Sequence, residues 1–131
     1  MRMVDDMAKT RNSPARIMVV DDDPSSRSAM QRVLEKAGYS VTMVADAERA
    51  IELVSDIDFD LIITDLRMPG KTGIELLSEV KNRKPEIEFM IVSAYGDEDT
   101  QALARRMGAS EVLMKPFPRQ KLIDSTQRVL G

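Results

Sequence analysis

The chain has 131 residues, a formal net charge of -3 at neutral pH, and neither cysteine nor histidine. That length suits one ordinary domain with a single core, and the mildly acidic balance gives no electrostatic footprint for direct nucleic-acid binding. Disulfides, thiolate metal sites and histidine-based zinc or acid–base chemistry are excluded, so any bound metal must be held by oxygen. With no apolar run of membrane-spanning length and no signal-like segment, a soluble cytoplasmic protein is expected.

Residues 1–14 are polar, mixed in charge and without period. They read as a disordered leader, with Met3 and Met7 as alternative starts, ahead of a domain over residues 15–131. The run Arg16-Ile17-Met18-Val19-Val20 predicts a first strand ending in Asp21-Asp22-Asp23-Pro24. Asp23 suits an N-cap and Pro24 the first helical position. Met30, Val33, Leu34 and Ala37 then form a helical stripe, which Gly38 stops. Val41 to Val44 predicts a second strand, and a helix from Ala47 to Ser55 turns Ala50, Ile51 and Val54 inward.

Leu61-Ile62-Ile63 is a short apolar run bounded by turn signals, the pattern of a strand buried on both faces. Asp65 follows at its C-terminal end, just before a Met68-Pro69-Gly70 turn. Thr72-Gly73-Ile74-Glu75 has the form of a capping box, and the helix it opens carries Ile74, Leu77 and Val80 inward. Phe89 to Val92 predicts a fourth strand, ending in Ser93-Ala94. Gly96-Asp97-Glu98-Asp99 places acids at the next helix start, where the macrodipole favours them. That helix is expected to bury Leu103 and Met107 and to close at Gly108. Glu111 to Met114 predicts the last strand, ending in Lys115-Pro116, and Leu122, Ile123, Thr126 and either Val129 or Leu130 line a final helix. Five strands alternating with five helices imply right-handed parallel crossovers and a doubly wound three-layer α/β domain.

In such a sheet the C-terminal strand ends share one edge, where ligands collect. Asp21 and Asp22, Asp65, Ser93 and Lys115 all fall there. Singly, each has an ordinary explanation as a cap, a loop residue or a surface lysine. Together, three carboxylates would repel unless a cation joined them, and an oxygen-only site with room for water and phosphate oxygens suits Mg2+. A hydroxyl and an ammonium on the far side suit a dianionic phosphoryl group.

Across about residues 15 to 130 the chain resembles the receiver domain of two-component response regulators. The resemblance is carried by Ile17-Met18-Val19-Val20-Asp21-Asp22-Asp23, by Asp60-Leu61-Ile62-Ile63-Thr64-Asp65-Leu66-Arg67-Met68-Pro69-Gly70, and by Val92-Ser93-Ala94 with Met114-Lys115-Pro116-Phe117. It implies a flavodoxin-like (βα)5 fold with sheet order 2-1-3-4-5. It also implies that Asp65 is the phosphoacceptor, served by a histidine kinase or phosphotransfer protein. Asp22, Asp65 and the backbone carbonyl of Arg67 would hold Mg2+ (Mn2+ could substitute), with Asp21 acting mainly through water. Ser93 and Lys115 would bind the phosphoryl group, and the Lys115–Pro116 peptide would be cis. The domain would signal through the face of its fourth helix, fifth strand and fifth helix, which offers a route to a homodimer. The Leu66–Gly70 and Ser93–Asp97 stretches are most similar to receivers of the nitrogen-control type.

The sequence departs from the family pattern at two places. Val112, three residues before Lys115, stands where the family carries an aromatic that turns inward on activation, and Tyr95 is the nearby ring that could replace it as a readout. Thr72 stands where many receivers carry aspartate, a helix-start choice without cost to chemistry. Arg67 and Tyr95 flank the route of water to the phosphoryl group and are expected to tune its lifetime. Two alternatives stand beside this reading. One is a receiver-shaped interaction module that accepts no phosphate. The other is a small Mg2+-dependent phosphatase using Asp21-Asp22-Asp23, which would leave Asp65 without a role.

Overall fold

The computed structural model describes residues 13–94 and 98–131. Almost all of the expected leader, and Tyr95 with Gly96 and Asp97, lie outside the described residues. Among the described residues five strands alternate with five helices: β1 (Arg16–Val20), α1 (Pro24–Lys36), β2 (Ser40–Val44), α2 (Ala47–Asp56), β3 (Leu61–Asp65), α3 (Gly73–Arg83), β4 (Glu88–Ser93), α4 (Glu98–Arg106), β5 (Glu111–Met114) and α5 (Arg119–Leu130). All pairings are parallel and the sheet order is β2-β1-β3-β4-β5, as the resemblance implied.

The strands read as apolar runs because both sheet faces are covered. Met18, Val20, Ile62, Phe89 and Ile91 pack with Ala50 and Val54 of α2, Leu76, Leu77 and Val80 of α3, and Ala104 of α4. The alternate residues Ile17, Val19, Leu61, Ile63, Met90, Val92 and Leu113 pack with Met30 and Leu34 of α1 and Leu122 of α5. The period of two in each strand thus divides one sheet between two cores and fixes the register, since a slip of one residue would exchange the faces.

Local signals set the helix starts. Asp23 caps α1 through the Ser25 N–H with Pro24 in the first turn, and Asp46 caps α2 through the Arg49 N–H. At α3 the reciprocal capping box of Thr72 and Glu75 forms as the sequence suggests. Three burial expectations need correction. Ala37 is the exposed C-cap of α1 rather than part of its inner stripe. Leu76 joins Leu77 and Val80 in the core while Ile74 is half-buried. Leu103 is 39% exposed, because α4 sets the smaller Ala104 against the sheet.

Candidate functional site

Register brings the site together. Val20 pairs with Thr64, so the next residues, Asp21 and Asp65, leave the sheet side by side. Asp65 itself pairs with Val92, which puts Ser93 one step further along the neighbouring strand. Ser93 pairs with Met114, and the Lys115 N–H donates to the Ser93 carbonyl at 2.8 Å, drawing the lysine onto the same edge. The Lys115–Pro116 peptide is cis, as expected.

One carboxylate oxygen from each of Asp21, Asp22 and Asp65 lies within 4.8 Å of the others. Their environments differ. Asp21 is fully buried, with Oδ1 accepting from the Asp23 N–H at 2.9 Å and Oδ2 from Lys115 Nζ at 2.9 Å. Asp65 is partly exposed and more loosely held, accepting from Lys115 Nζ at 3.2 Å and from the Arg67 N–H at 3.3 Å. Asp22 is exposed. The oxygens of Asp21 are therefore shut from solvent and committed to the protein, while Asp65 is part-exposed on longer bonds and Asp22 is exposed.

Lys115 bridges the two strand ends that carry Asp21 and Asp65. Burial would lower its pKa, but hydrogen bonding and charge attraction from Asp21, then Asp65, outweigh that and hold it above the usual lysine value. The ammonium is therefore kept charged at neutral pH. One lysine against three carboxylates leaves the edge net negative, and the donor set is oxygen alone. A hard divalent cation fits that set of carboxylate oxygens.

Of the residues singled out in the sequence, Asp21, Asp22, Asp65 and Lys115 converge within contact distances. Ser93 stands at the adjoining strand end with its side chain buried, and Arg67 is exposed on the loop after β3. Sequence reasoning missed three contributors. Arg27, one turn into α1, donates from Nη1 to the Asp21 carbonyl at 2.7 Å. Thr64 donates from its buried hydroxyl to the Asp65 carbonyl at 3.0 Å. Gly73 presses on that same carbonyl. A glycine at the first position of a capped helix was the one available signal, because helix propensity disfavours it there.

The Asp23 carboxylate is engaged in capping α1, accepting from the Ser25 N–H at 3.3 Å.

Residues 17–127 match the family model of the response regulator receiver domain. Over 115 residues the chain is 32% identical to the DNA-binding transcriptional regulator NtrC of Escherichia coli, covering 88% of this chain and 24% of that protein. The chain spans from about a quarter to about half the length of the curated relatives it matches. A crystal structure of a CheY-like receiver domain from Methanospirillum hungatei superposes with a TM-score of 0.87 at 27% identity, covering 90% of this chain and 94% of that one. The beryllofluoride-activated NtrC4 receiver domain dimer gives a TM-score of 0.84 at 27% identity, covering 88% and 95%. Fold, strand-end residues and family match agree: the chain belongs to the response regulator receiver domain family of two-component systems.

Proposed function

We propose that this receiver is a phosphoacceptor switch in which Asp65 takes a phosphoryl group from a histidine kinase or phosphotransfer protein. The observation that supports it most is the asymmetry of the acidic edge. Asp65 is accessible and loosely bonded, whereas the neighbouring Asp21 is buried with both oxygens occupied. A nucleophile must be reachable and easily freed from its partners, and Asp65, part-exposed and held by two longer bonds, meets that condition better than Asp21.

In the proposed reaction an Asp65 oxygen attacks phosphorus in line, and an acyl–O–P bond forms as the donor's P–N bond to histidine breaks. Lys115 turns from the Asp65 carboxylate to the phosphoryl oxygens without losing Asp21 as its anchor. The Ser93 hydroxyl donates to the same group. Asp22, Asp65 and the Arg67 backbone carbonyl would hold Mg2+ or Mn2+, with Asp21 orienting its water. The bound cation would offset charge on the transferring oxygens. Attack of water on phosphorus later restores the carboxylate, at a rate that Arg67 tunes from its exposed position beside the site. Turnover thus amounts to a timed switch rather than net catalysis, in a cytoplasmic signalling protein.

The output surface in this reading is the α4-β5-α5 face. Among the described residues the exposed large apolar side chains are Met43, Leu103 and Met114, and two of these three lie on α4 and β5. The Met114 sulfur accepts from Gln101 Nε2 at 3.4 Å, joining the two elements there. Val112 packs half-buried against the core beneath α4, so the inward-turning ring of the family is replaced by a β-branched side chain. In this reading the switch does not turn on a ring at position 112.

A thermal-shift titration with beryllofluoride, a phosphoryl mimic, tests the reading. Stabilisation that requires Mg2+ and is lost in Asp65→Asn is expected. An unaltered melting temperature in the unmodified protein would favour the interaction module instead.

A further inference from the structure

We infer that Thr64 and Gly73 form a clamp on the backbone carbonyl of Asp65 and are positioning residues for the acidic site, an inference that rests on the reading of Asp65 as the reacting residue. Gly73 opens α3 and is buried, yet its φ is not positive, so its backbone conformation is open to any residue. On propensity alone alanine would serve this helical position better. Contact is what demands glycine. A Cβ at residue 73 would overlap the Asp65 carbonyl oxygen and come within 3.1 Å of Leu66 Cα and 3.2 Å of the Asp65 carbonyl carbon. All three are backbone atoms and cannot swing aside as the end of a side chain would. Gly73 is also tied in place, since its N–H donates to the Leu66 carbonyl at 2.8 Å.

The same Asp65 carbonyl accepts from the Thr64 hydroxyl at 3.0 Å, and Thr64 is fully buried. A hydroxyl and a close-packed glycine therefore both hold the Asp65–Leu66 peptide at its carbonyl. This peptide carries the Asp65 side chain on one side and leads on the other to Arg67, whose N–H meets Asp65 Oδ1 at 3.3 Å. Moving the peptide by a few tenths of an ångström would misalign the carboxylate against Lys115 and shift the loop carbonyl proposed for the cation. Errors of about 1 Å in a reacting group cost roughly a hundredfold in rate.

The test compares Gly73→Ala, Thr64→Val, Thr64→Ser and Thr72→Ala. It reads phosphoryl uptake from acetyl phosphate, Mn2+ affinity by electron paramagnetic resonance, and fold by circular dichroism. Gly73→Ala is expected to slow uptake at least about tenfold and to weaken Mn2+ binding several-fold while remaining folded. Thr64→Val is expected to act in the same direction and Thr64→Ser to restore both readouts. Thr72→Ala disturbs the same helix start without touching Asp65, and should leave both unchanged. Normal uptake and normal Mn2+ affinity in Gly73→Ala and Thr64→Val would overturn the clamp. If Gly73→Ala does not fold, the Thr64 pair decides. If the unmodified protein takes up no phosphoryl group, the phosphoacceptor reading fails separately and the Mn2+ affinities still judge the clamp.

Discussion

At the scale of single residues, the acidic edge depends on Lys115 more than its surface-like place before a proline suggests. It supplies a partner to an Asp21 oxygen that is otherwise shut from water. Lys115→Ala would leave that buried oxygen without its ammonium, a loss of about 1.5–3 kcal/mol for a hydrogen bond to a charged group. Chemical denaturation at neutral pH should show this loss, and adding Asp21→Asn should recover part of it. A full loss retained in the double variant would mean that the pair is not coupled. The sign of the pH dependence follows from the raised pKa of Lys115. Its stabilising effect is fully present below the ordinary lysine value and disappears as pH rises through the folded-state value, so it is constant across the neutral range.

At the scale of elements, α3 starts on a reciprocal cap in which the Thr72 N–H donates to Glu75 Oε1 at 2.9 Å and the Glu75 N–H to Thr72 Oγ1 at 3.2 Å. Thr72→Ala should lower stability by about 1 kcal/mol while leaving phosphoryl uptake unchanged, measured on the same preparation. The backbone bond from Thr72 holds the Glu75 carboxyl below its ordinary value, so its contribution is present above the ordinary carboxylate range and fades as acid titrates the folded state. Glu75→Gln should flatten that part of an acid denaturation profile. This cap was legible in four consecutive residues because both partners lie within one turn. The strand-end site was legible for a related reason: each apolar run stops at a polar residue, and parallel topology puts all the stops on one edge. What could not be read depends on contacts between elements. Leu103 and Ala104 lie about 100° apart on α4, and only the packed structure decides which meets the sheet. Arg27 and Thr64 act on carbonyls, which leave no mark in a pattern of side chains, and Gly73 left only the signal of a glycine at a helix start.

At the scale of the whole molecule, the proposed switch would pass an event at one edge of the sheet to a face formed by its last elements. The site and the α4-β5-α5 face share β5, whose Met114 is exposed on the face and whose next residue is Lys115 in the site. Leu103→Glu should therefore prevent any assembly induced by beryllofluoride, read by sedimentation, while leaving phosphoryl uptake intact. Assembly that survived the substitution would place the output elsewhere. The central claim concerns Asp65 itself, and intact mass after incubation with Mg2+ and acetyl phosphate tests it most directly, for the unmodified chain and for Asp65→Asn. The account predicts one added phosphoryl group in the unmodified chain and none in the variant. An adduct that survived the substitution would contradict it.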